Sequence, residues 1–152
     1  MSTFNPDSFL HTQTEAVLDT KYTPVPEGEY ASAYIEKVEA RTINTQNGPA
    51  PQMVITWEIQ DEALAQKLGR DKVFVRQNFW LDIDDNGNLE SGTNKNVPLG
   101  QVREVFGQNK PGKAWSPQFL VGQGPARVKV AHRVDKNDAS KTYDEVRGVA
   151  KA

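Results

Sequence analysis

The chain has 152 residues, a formal charge of −2, no cysteine and a hydrophobic content of 37%. This length is typical of one domain with a real core, and the lack of cysteine excludes disulfides and cysteine-based metal or nucleophilic sites. Lys and Arg number 18 against 20 Asp and Glu, which excludes the globally basic character of many duplex-DNA binders but not a local basic groove.

The first 28 residues are predicted to be an N-terminal arm in front of a domain at 29–152. A short helix is expected to start near Asn5 and Pro6, and the prolines at 24 and 26 favour an extended lead-in to the domain. We expect Phe4, Phe9 and Leu10 to dock on the body or on a neighbouring subunit. The N-terminus lacks the basic and apolar regions of a signal peptide, and no apolar run is long enough to span a bilayer, so we expect a cytoplasmic protein without a membrane partner.

Two strands are predicted next, at residues 29–43 and 52–60, joined by a polar loop at 44–50. The first strand loses its alternation near Lys37 and Val38, which predicts a β-bulge there. In the second strand, Trp57 shares a face with Met53, Ile55 and Ile59, and we therefore assign Trp57 to the core.

The clearest strand signal is at residues 72–83, where β-branched and aromatic residues alternate with polar ones. One face is apolar except for Gln77. The opposite face interleaves aromatic rings with cations, as a surface for single-stranded nucleic acid requires, because bases stack on rings while Lys and Arg neutralise phosphates. This face carries Lys72, Phe74, Arg76, Asn78, Trp80 and Asp82. Burial under a loop, a helix or a second subunit would explain Phe74 and Trp80 equally well.

Short helices are predicted at residues 61–68, ending at Gly69, and at 97–106, with Asn96 as N-cap and Gly107 as the stop. A Gly/Pro loop at 108–117 carries Trp115. Two further strands are expected at 126–134 and 142–149, separated by a polar loop at 135–140. In the first of them Val128, Val130, His132 and Val134 are predicted to face inward, and Arg127, Lys129 and Arg133 outward.

The elements run strand, strand, strand, helix, strand, strand, which is the order of an OB-fold. The predicted fold is therefore mainly β, a five-stranded OB-fold-like Greek-key barrel with one or two short helices and an N-terminal arm. In such barrels the second and third strands and the loops at 44–50 and 135–140 would form the ligand surface.

Four segments carry a resemblance to a known family. They are PEGEY at 26–30, GRDKVF at 69–74, LGQVREVFG at 99–107 and GQGPARVKV at 122–130. In this order they resemble phage-encoded single-stranded DNA-binding proteins of the OB-fold type, a family catalogued as a domain of unknown function. The resemblance implies sequence-non-specific binding of single-stranded DNA in phage replication or recombination, in the host cytoplasm.

The expected partner is single-stranded DNA, with RNA as an alternative because stacking and phosphate contacts ignore the 2′-hydroxyl. A homo-oligomer, most simply a dimer, is also expected. The rival hypothesis is a phage interaction or structural protein that uses the same aromatic face as a protein interface. The candidate nucleic-acid-binding residues are Lys72, Phe74, Arg76, Asn78, Trp80, Trp115, Arg127, Lys129 and Arg133.

Residues 82–90 offer a competing chemistry, because they match the first half of a calcium-binding EF-hand loop. Thr93 stands where that loop needs a bidentate Glu, and a strand precedes the loop where a helix should. An Asn-Gly hairpin turn explains the same residues. The clustered carboxylates could also suggest a metal-dependent nuclease, but no basic or His partner lies in sequence reach. We therefore expect no metal, no cofactor and no catalysis.

Overall fold

The computed structural model describes residues 3–152. The strands are β1 (Gly28–Thr45), β2 (Gly48–Ile59), β3 (Val73–Trp80), β4 (Ala126–Val134) and β5 (Thr142–Lys151). The helices are α1 (Pro6–Phe9), α2 (Glu62–Leu68) and α3 (Val97–Val105), and a 3-10 helix spans Pro117–Leu120. The predicted order of the larger elements is confirmed.

The strands form one antiparallel sheet in the order β3-β2-β1-β4-β5. The mainly β class is therefore confirmed, with a few short helices around a five-stranded sheet. The sheet is not closed by hydrogen bonds: within residues 3–152, no ladder joins β3 to β5, and these two strands are its edges. Their Cα atoms nevertheless approach within 8 Å at several points.

The core lies on the inward side of the sheet, where the alternation of apolar and polar residues along the strands predicts it. Trp57 is fully buried, and its indole Nε1 donates a hydrogen bond to Gln77 Oε1 at 2.9 Å. Gln77 is the one polar residue in the apolar stripe of β3, and this bond explains its presence because a buried indole N–H needs an acceptor. The residues predicted to accompany Trp57 inward on β2 are buried, as are three apolar residues of the β3 stripe: Met53, Ile55, Ile59, Val73, Val75 and Phe79. On β2, Gln52, Val54 and Thr56 are buried as well, although alternation places them on the outward face.

The connection between β1 and β2 differs from the predicted loop at 44–50. The strands instead continue as a hairpin in which Thr45 pairs with Gly48. Pro49 and Pro51 both lie within β2, and the carbonyl of Pro51 accepts from Leu81 N at 3.1 Å. The backbone polar groups of Pro51 therefore point toward β3. Because proline lacks its N–H on that side, no hydrogen bond between β2 and β1 is lost.

Several local predictions can be compared with the structure. The register of β1 against β2 shifts between Ile35 and Lys37, which places the bulge close to its predicted position. Gly69 ends α2 in the left-handed conformation, as predicted. Val134 is exposed, so its inward assignment was wrong, because β4 continues past the end of the core. The strand predicted to reach residue 83 ends at Trp80.

Asn96 stands directly before α3, but its side chain makes no capping bond. It instead exchanges hydrogen bonds with Asp82, each backbone N–H donating to the other's side chain at 2.9 Å. Its amide nitrogen also donates to the carbonyl oxygens of Asp82 and Glu90. Asn96 therefore fixes the turn after β3 rather than the helix end.

The N-terminal arm does not dock on the body where it was expected to. Phe4 and Phe9 are exposed and pack on each other with ring centroids 5.3 Å apart, and Leu10 is also exposed. The segment that does contact the body lies later, at residues 21–25. None of the helices within residues 3–152 is long and apolar enough to cross a membrane.

Candidate nucleic-acid interface

The outward face of β3 is the predicted aromatic-basic surface. Burial alternates strictly along the strand, with every second residue from Val73 buried and the residues between them exposed. Phe74 is 40% and Trp80 is 57% exposed. Within residues 3–152 both rings thus remain partly open to solvent, so this surface is available to a partner. The exposed predicted residues are Lys72, Phe74, Arg76, Asn78 and Trp80.

The first half of this face opens into a cavity of about 1030 Å³, the β3–β5 groove. One wall is the outward face of β3. The other walls are residues 21–24 of the arm, the end of the β4–β5 loop and the start of β5. Among the predicted site residues, the groove brings together Lys72, Phe74 and Arg76. Asn78 and Trp80 continue the same face beyond it.

The groove also contains residues that sequence reasoning missed. Two are aromatic and three are cationic, the same combination as on β3. The loop at 135–140 was expected on the ligand surface, and two of these residues follow it directly. Lys21 and Tyr22 carry no local signal, because only long-range contacts bring the arm to this place. Arg70 lies just before β3, outside the strand whose alternation was used. The missed residues are Lys21, Tyr22, Arg70, Lys141 and Tyr143.

The arm segment at residues 21–25, here called the strap, is fixed at several points. Lys21 Nζ donates to Ser140 at 3.1 Å to the carbonyl and 2.8 Å to the hydroxyl. The Arg70 guanidinium donates to the carbonyl of Thr23. Val25 is fully buried, and its N–H donates to the Asp144 carboxylate at 2.7 Å. The strap is therefore held both at β5 and just before β3.

His132 completes this anchorage. It is half-buried, and its Nε2 lies 2.7 Å from the carbonyl oxygen of Val25. Because a carbonyl can only accept, Nε2 carries the proton in this contact. His132 had been expected to be a satisfied inward histidine, and its ring is indeed partnered by the backbone, at the edge of the groove.

The loop between β4 and β5 is shaped by two aspartates that accept hydrogen bonds from its own backbone. Asp135 accepts from the N–H groups of Asn137 and Asp138, and Asp138 accepts from that of Ser140. The bond from the Asn137 backbone lowers the pKa of Asp135 below its usual value. The hydroxyl of Ser140 likewise lowers the pKa of Asp138. Both carboxylates stabilise the loop that presents Ser140 to Lys21.

The charge in the groove is unbalanced. Among the described residues that line the groove, Asp144 is the one carboxylate, and it accepts a hydrogen bond from the backbone N–H of Val25. Lys72 and Arg76 make no ion pair within residues 3–152. Cations without protein partners beside exposed rings leave a site that is electrostatically suited to an anionic, aromatic ligand.

The outward face of β2 borders the same surface with buried polar groups. Gln52 pairs in register with Trp80, and its Oε1 accepts from Arg41 Nε at 2.7 Å. Thr56 lies between Lys37 and Arg76 in the sheet register. It is buried, and its hydroxyl has no hydrogen-bond partner within residues 3–152.

The predicted basic residues of β4 are not brought into the groove. Arg133 lies at its margin, with its guanidinium 5.4 Å from the centre of the Tyr143 ring and 3.8 Å from Glu145. Arg127 and Lys129 lie further along β4 and do not line the groove. These residues were predicted to share a surface with β3 only because their register places their side chains on the outward side of β4. In the sheet β4 pairs with the edge strand β5, and it is β5, not β4, that approaches the groove wall on β3.

Trp115 is also separate from the groove. Its ring is half-buried against the core, and its Nε1 donates to Gln108 Oε1 at 2.8 Å. The Arg103 guanidinium lies 4.1 Å from the ring centre. The polar edge and one face of this ring are thus already occupied within the chain.

The acidic turn after β3 is a hydrogen-bonded turn, as predicted. Asp84 Oδ1 accepts from the N–H groups of Asn86 and Asn88, and Asp82 is bonded to Asn96. Within residues 3–152, no three His, Asp or Glu side chains are grouped so as to hold a metal ion. These carboxylates are used to shape the turn.

Comparison of the chain with protein-family models, with curated proteins and with solved structures finds no match. The interpretation of the site therefore depends on its own geometry and chemistry.

Proposed function

We propose that the chain binds single-stranded DNA without sequence preference, in the β3–β5 groove and along the outward face of β3. The observation that carries this proposal is the meeting of exposed rings and unpaired cations in one groove. Every base has a π-face that can stack on Phe74 or Tyr143, and the phosphates between bases can contact Lys72 and Arg76. A ligand recognised in this way needs unstacked bases, which duplex DNA does not offer.

We interpret the sheet as an OB-type barrel with an open seam between β3 and β5, and this interpretation supports the proposal. The order β3-β2-β1-β4-β5, with β3 and β5 adjacent but not hydrogen-bonded, is the OB order cut between its third and fifth strands. Helix α3 connects β3 to β4, as the OB order also requires. The groove then lies on the third strand beside the β4–β5 loop, where OB-folds bind oligonucleotides.

From the resemblance of the sequence to phage single-stranded DNA-binding proteins, we propose that this activity serves phage replication or recombination. RNA is the alternative ligand, because neither stacking nor phosphate contacts read the 2′-hydroxyl. A comparison of DNA and RNA oligomers of equal length therefore belongs in the first experiment.

The test is fluorescence anisotropy with labelled oligo-dT, the matching duplex and an RNA oligomer. Arg76→Glu should weaken oligo-dT binding by about tenfold or more, because it reverses a charge inside the groove. Lys129→Glu makes the same change of charge on exposed β4, outside the groove, and should bind nearly as the wild type does. Equal affinity for duplex and single strand, or equal loss in both variants, would contradict the proposal.

A protein–protein interface is the second candidate, and exposed apolar side chains favour it. Trp80 lies outside the groove with more than half of its surface exposed, and the arm exposes Phe4, Phe9 and Leu10. Such side chains are typical anchors of protein interfaces. If Trp80→Ala lowers the oligomeric state in sedimentation without changing oligo-dT affinity, this second function is supported instead.

A further inference from the structure

We propose that the strap contacts the ligand in the β3–β5 groove and that Tyr22 stacks on a base of the bound strand. This inference rests on the proposed function and adds a binding element from the arm. Tyr22 lines the same groove as Phe74, on a different wall. A base entering the groove can therefore meet aromatic surface on β3 and on the strap.

The first argument is the contrast between the fixed strap and the exposed ring it carries. Tyr22 is 91% exposed, although the residues on both sides of it are held. Lys21 is bonded to Ser140, and the carbonyl of Thr23 accepts from Arg70. At this exposure the ring buries very little apolar surface within the chain, so it contributes little to folding. It is, however, preorganised for a ligand, because the backbone entropy of ordering its segment is already lost.

The second argument is the charge beside the ring. The Arg70 guanidinium lies 5.6 Å from the centre of the Tyr22 ring, and Lys72 follows two residues later on the groove wall. A stacked base carries its phosphates at the edge of the stack, where these cations can neutralise them. The high exposure of Tyr22 also shows that Arg70 leaves most of the ring uncovered.

The third argument concerns what holds the strap. Val25 is buried in the core, and its backbone is bonded at both polar groups, to Asp144 and to His132. The strap therefore remains in place when the ring of Tyr22 is removed. The contribution of the Tyr22 ring to binding can therefore be tested while the strap still forms its wall of the groove.

The experiment compares three full-length variants by anisotropy with labelled oligo-dT and by thermal melting. Tyr22→Ala should weaken binding about fivefold or more, the effect of losing one stacked base, with an unchanged Tm. Tyr22→Phe keeps the ring and should bind as the wild type does. Phe9→Ala removes another exposed ring of the arm, outside the groove, and should also bind normally.

The outcomes separate this inference from the proposed function. If the wild type binds oligo-dT and Tyr22→Ala binds it with the same affinity, the role of Tyr22 is overturned and the proposed function stands. Equal losses in Tyr22→Ala and Tyr22→Phe overturn stacking in favour of a hydroxyl contact. No binding of oligo-dT by the wild type overturns both.

As a second readout, photocrosslinking to an oligomer containing 5-iododeoxyuridine should label the peptide that contains Tyr22. Labelling confined to other peptides contradicts the inference.

Discussion

Trp57 and Trp80 lie on neighbouring strands of the sheet and differ in every physical respect that matters for binding. Trp57 is fully buried and hydrogen-bonded to Gln77, whereas Trp80 is exposed on the outward face of β3. Trp80 follows Arg76 by four residues, so roughly 13 Å of strand separates it from the groove. The same substitution at the two positions should therefore affect different properties.

We expect Trp80→Ala to leave the Tm nearly unchanged and to cost about 1–3 kcal/mol of affinity for oligo-dT, the usual effect of losing one stacked base. Trp57→Ala should destabilise the fold by about 3–5 kcal/mol, because it leaves a cavity and removes the donor to Gln77. Urea unfolding and anisotropy measure the two effects separately. If Trp80→Ala unfolds early and binds normally, the outward face of β3 is a packing surface.

At this scale, alternation alone predicted which tryptophan is buried, because the side-chain period of a strand is two. It could not explain Gln77, whose polar side chain interrupts an apolar stripe. The partner is Trp57, twenty residues earlier in the chain. Only the register of β2 against β3 brings the two side chains together.

Between elements, the connection into β4 approaches β1 closely at Gly124. A Cβ at Gly124 would lie 2.5 Å from Cδ1 of Tyr34 and 2.9 Å from the carbonyl oxygen of Ala33. Its φ of +155° adds to the constraint. Nearby, Ile35 exchanges hydrogen bonds with this connection, accepting from Gly122 and donating to Gln123. The connection into β4 thus packs directly on the bulged part of β1.

Gly124→Ala should consequently destabilise the fold by about 1–3 kcal/mol through overpacking. Gly100→Ala is the matched control, because Gly100 lies within α3 and a Cβ there meets nothing within 4 Å. That control should stabilise by about 0.5–1 kcal/mol, since alanine favours helix more than glycine does. Chemical unfolding of both variants checks the pair, and equal effects would show that the contact with Tyr34 is unimportant.

Elements with a strong local signal were predicted well, and their assembly was not. The alternation of β3 and the Gly stops of α2 and α3 depend on neighbouring residues in sequence. The extended hairpin tip was missed because Pro49 and Pro51 oppose a strand unless their orientation in the sheet is known. The residues of β4 were joined to the site because outward register says nothing about which strands are adjacent.

For the whole molecule, the net charge of −2 does not show that the charged side chains are unevenly distributed over the surface. The groove is lined by five Lys and Arg side chains and by one carboxylate, which is occupied. Such a local field attracts a polyanion although the molecule as a whole is slightly acidic. The proposed function therefore predicts that the affinity for single-stranded DNA falls as the salt concentration rises, more steeply the more phosphates the groove contacts.

We expect the log–log slope of affinity against salt to be about −0.7 for each phosphate neutralised. Lys72→Ala should make the slope shallower by about one such step, whereas Lys129→Ala should leave it unchanged. Titrations with oligo-dT at several salt concentrations provide the measurement. A flat wild-type curve would show that the groove holds no phosphates.

The groove itself could not be predicted from the sequence, because it is made by contacts between distant parts of the chain. Lys21 and Ser140, which meet at its edge, are 119 residues apart. The aromatic-basic face of β3 was visible in the sequence, but the opposite walls were not. The residues most open to prediction are therefore those on a single strand.

The open seam between β3 and β5 has a consequence for the behaviour of the protein in a crowded solution. Each strand presents unpaired backbone groups along one edge, and such edges attract strands of other chains and promote aggregation. The strap is fixed beside both strands through Arg70 and Asp144, and Lys72 and Arg76 place positive charge at the β3 edge. Natural sheets protect their edges by these two means, with a covering segment and with charge. The same residues that form the walls of the groove thus also keep the sheet from growing beyond its fifth strand.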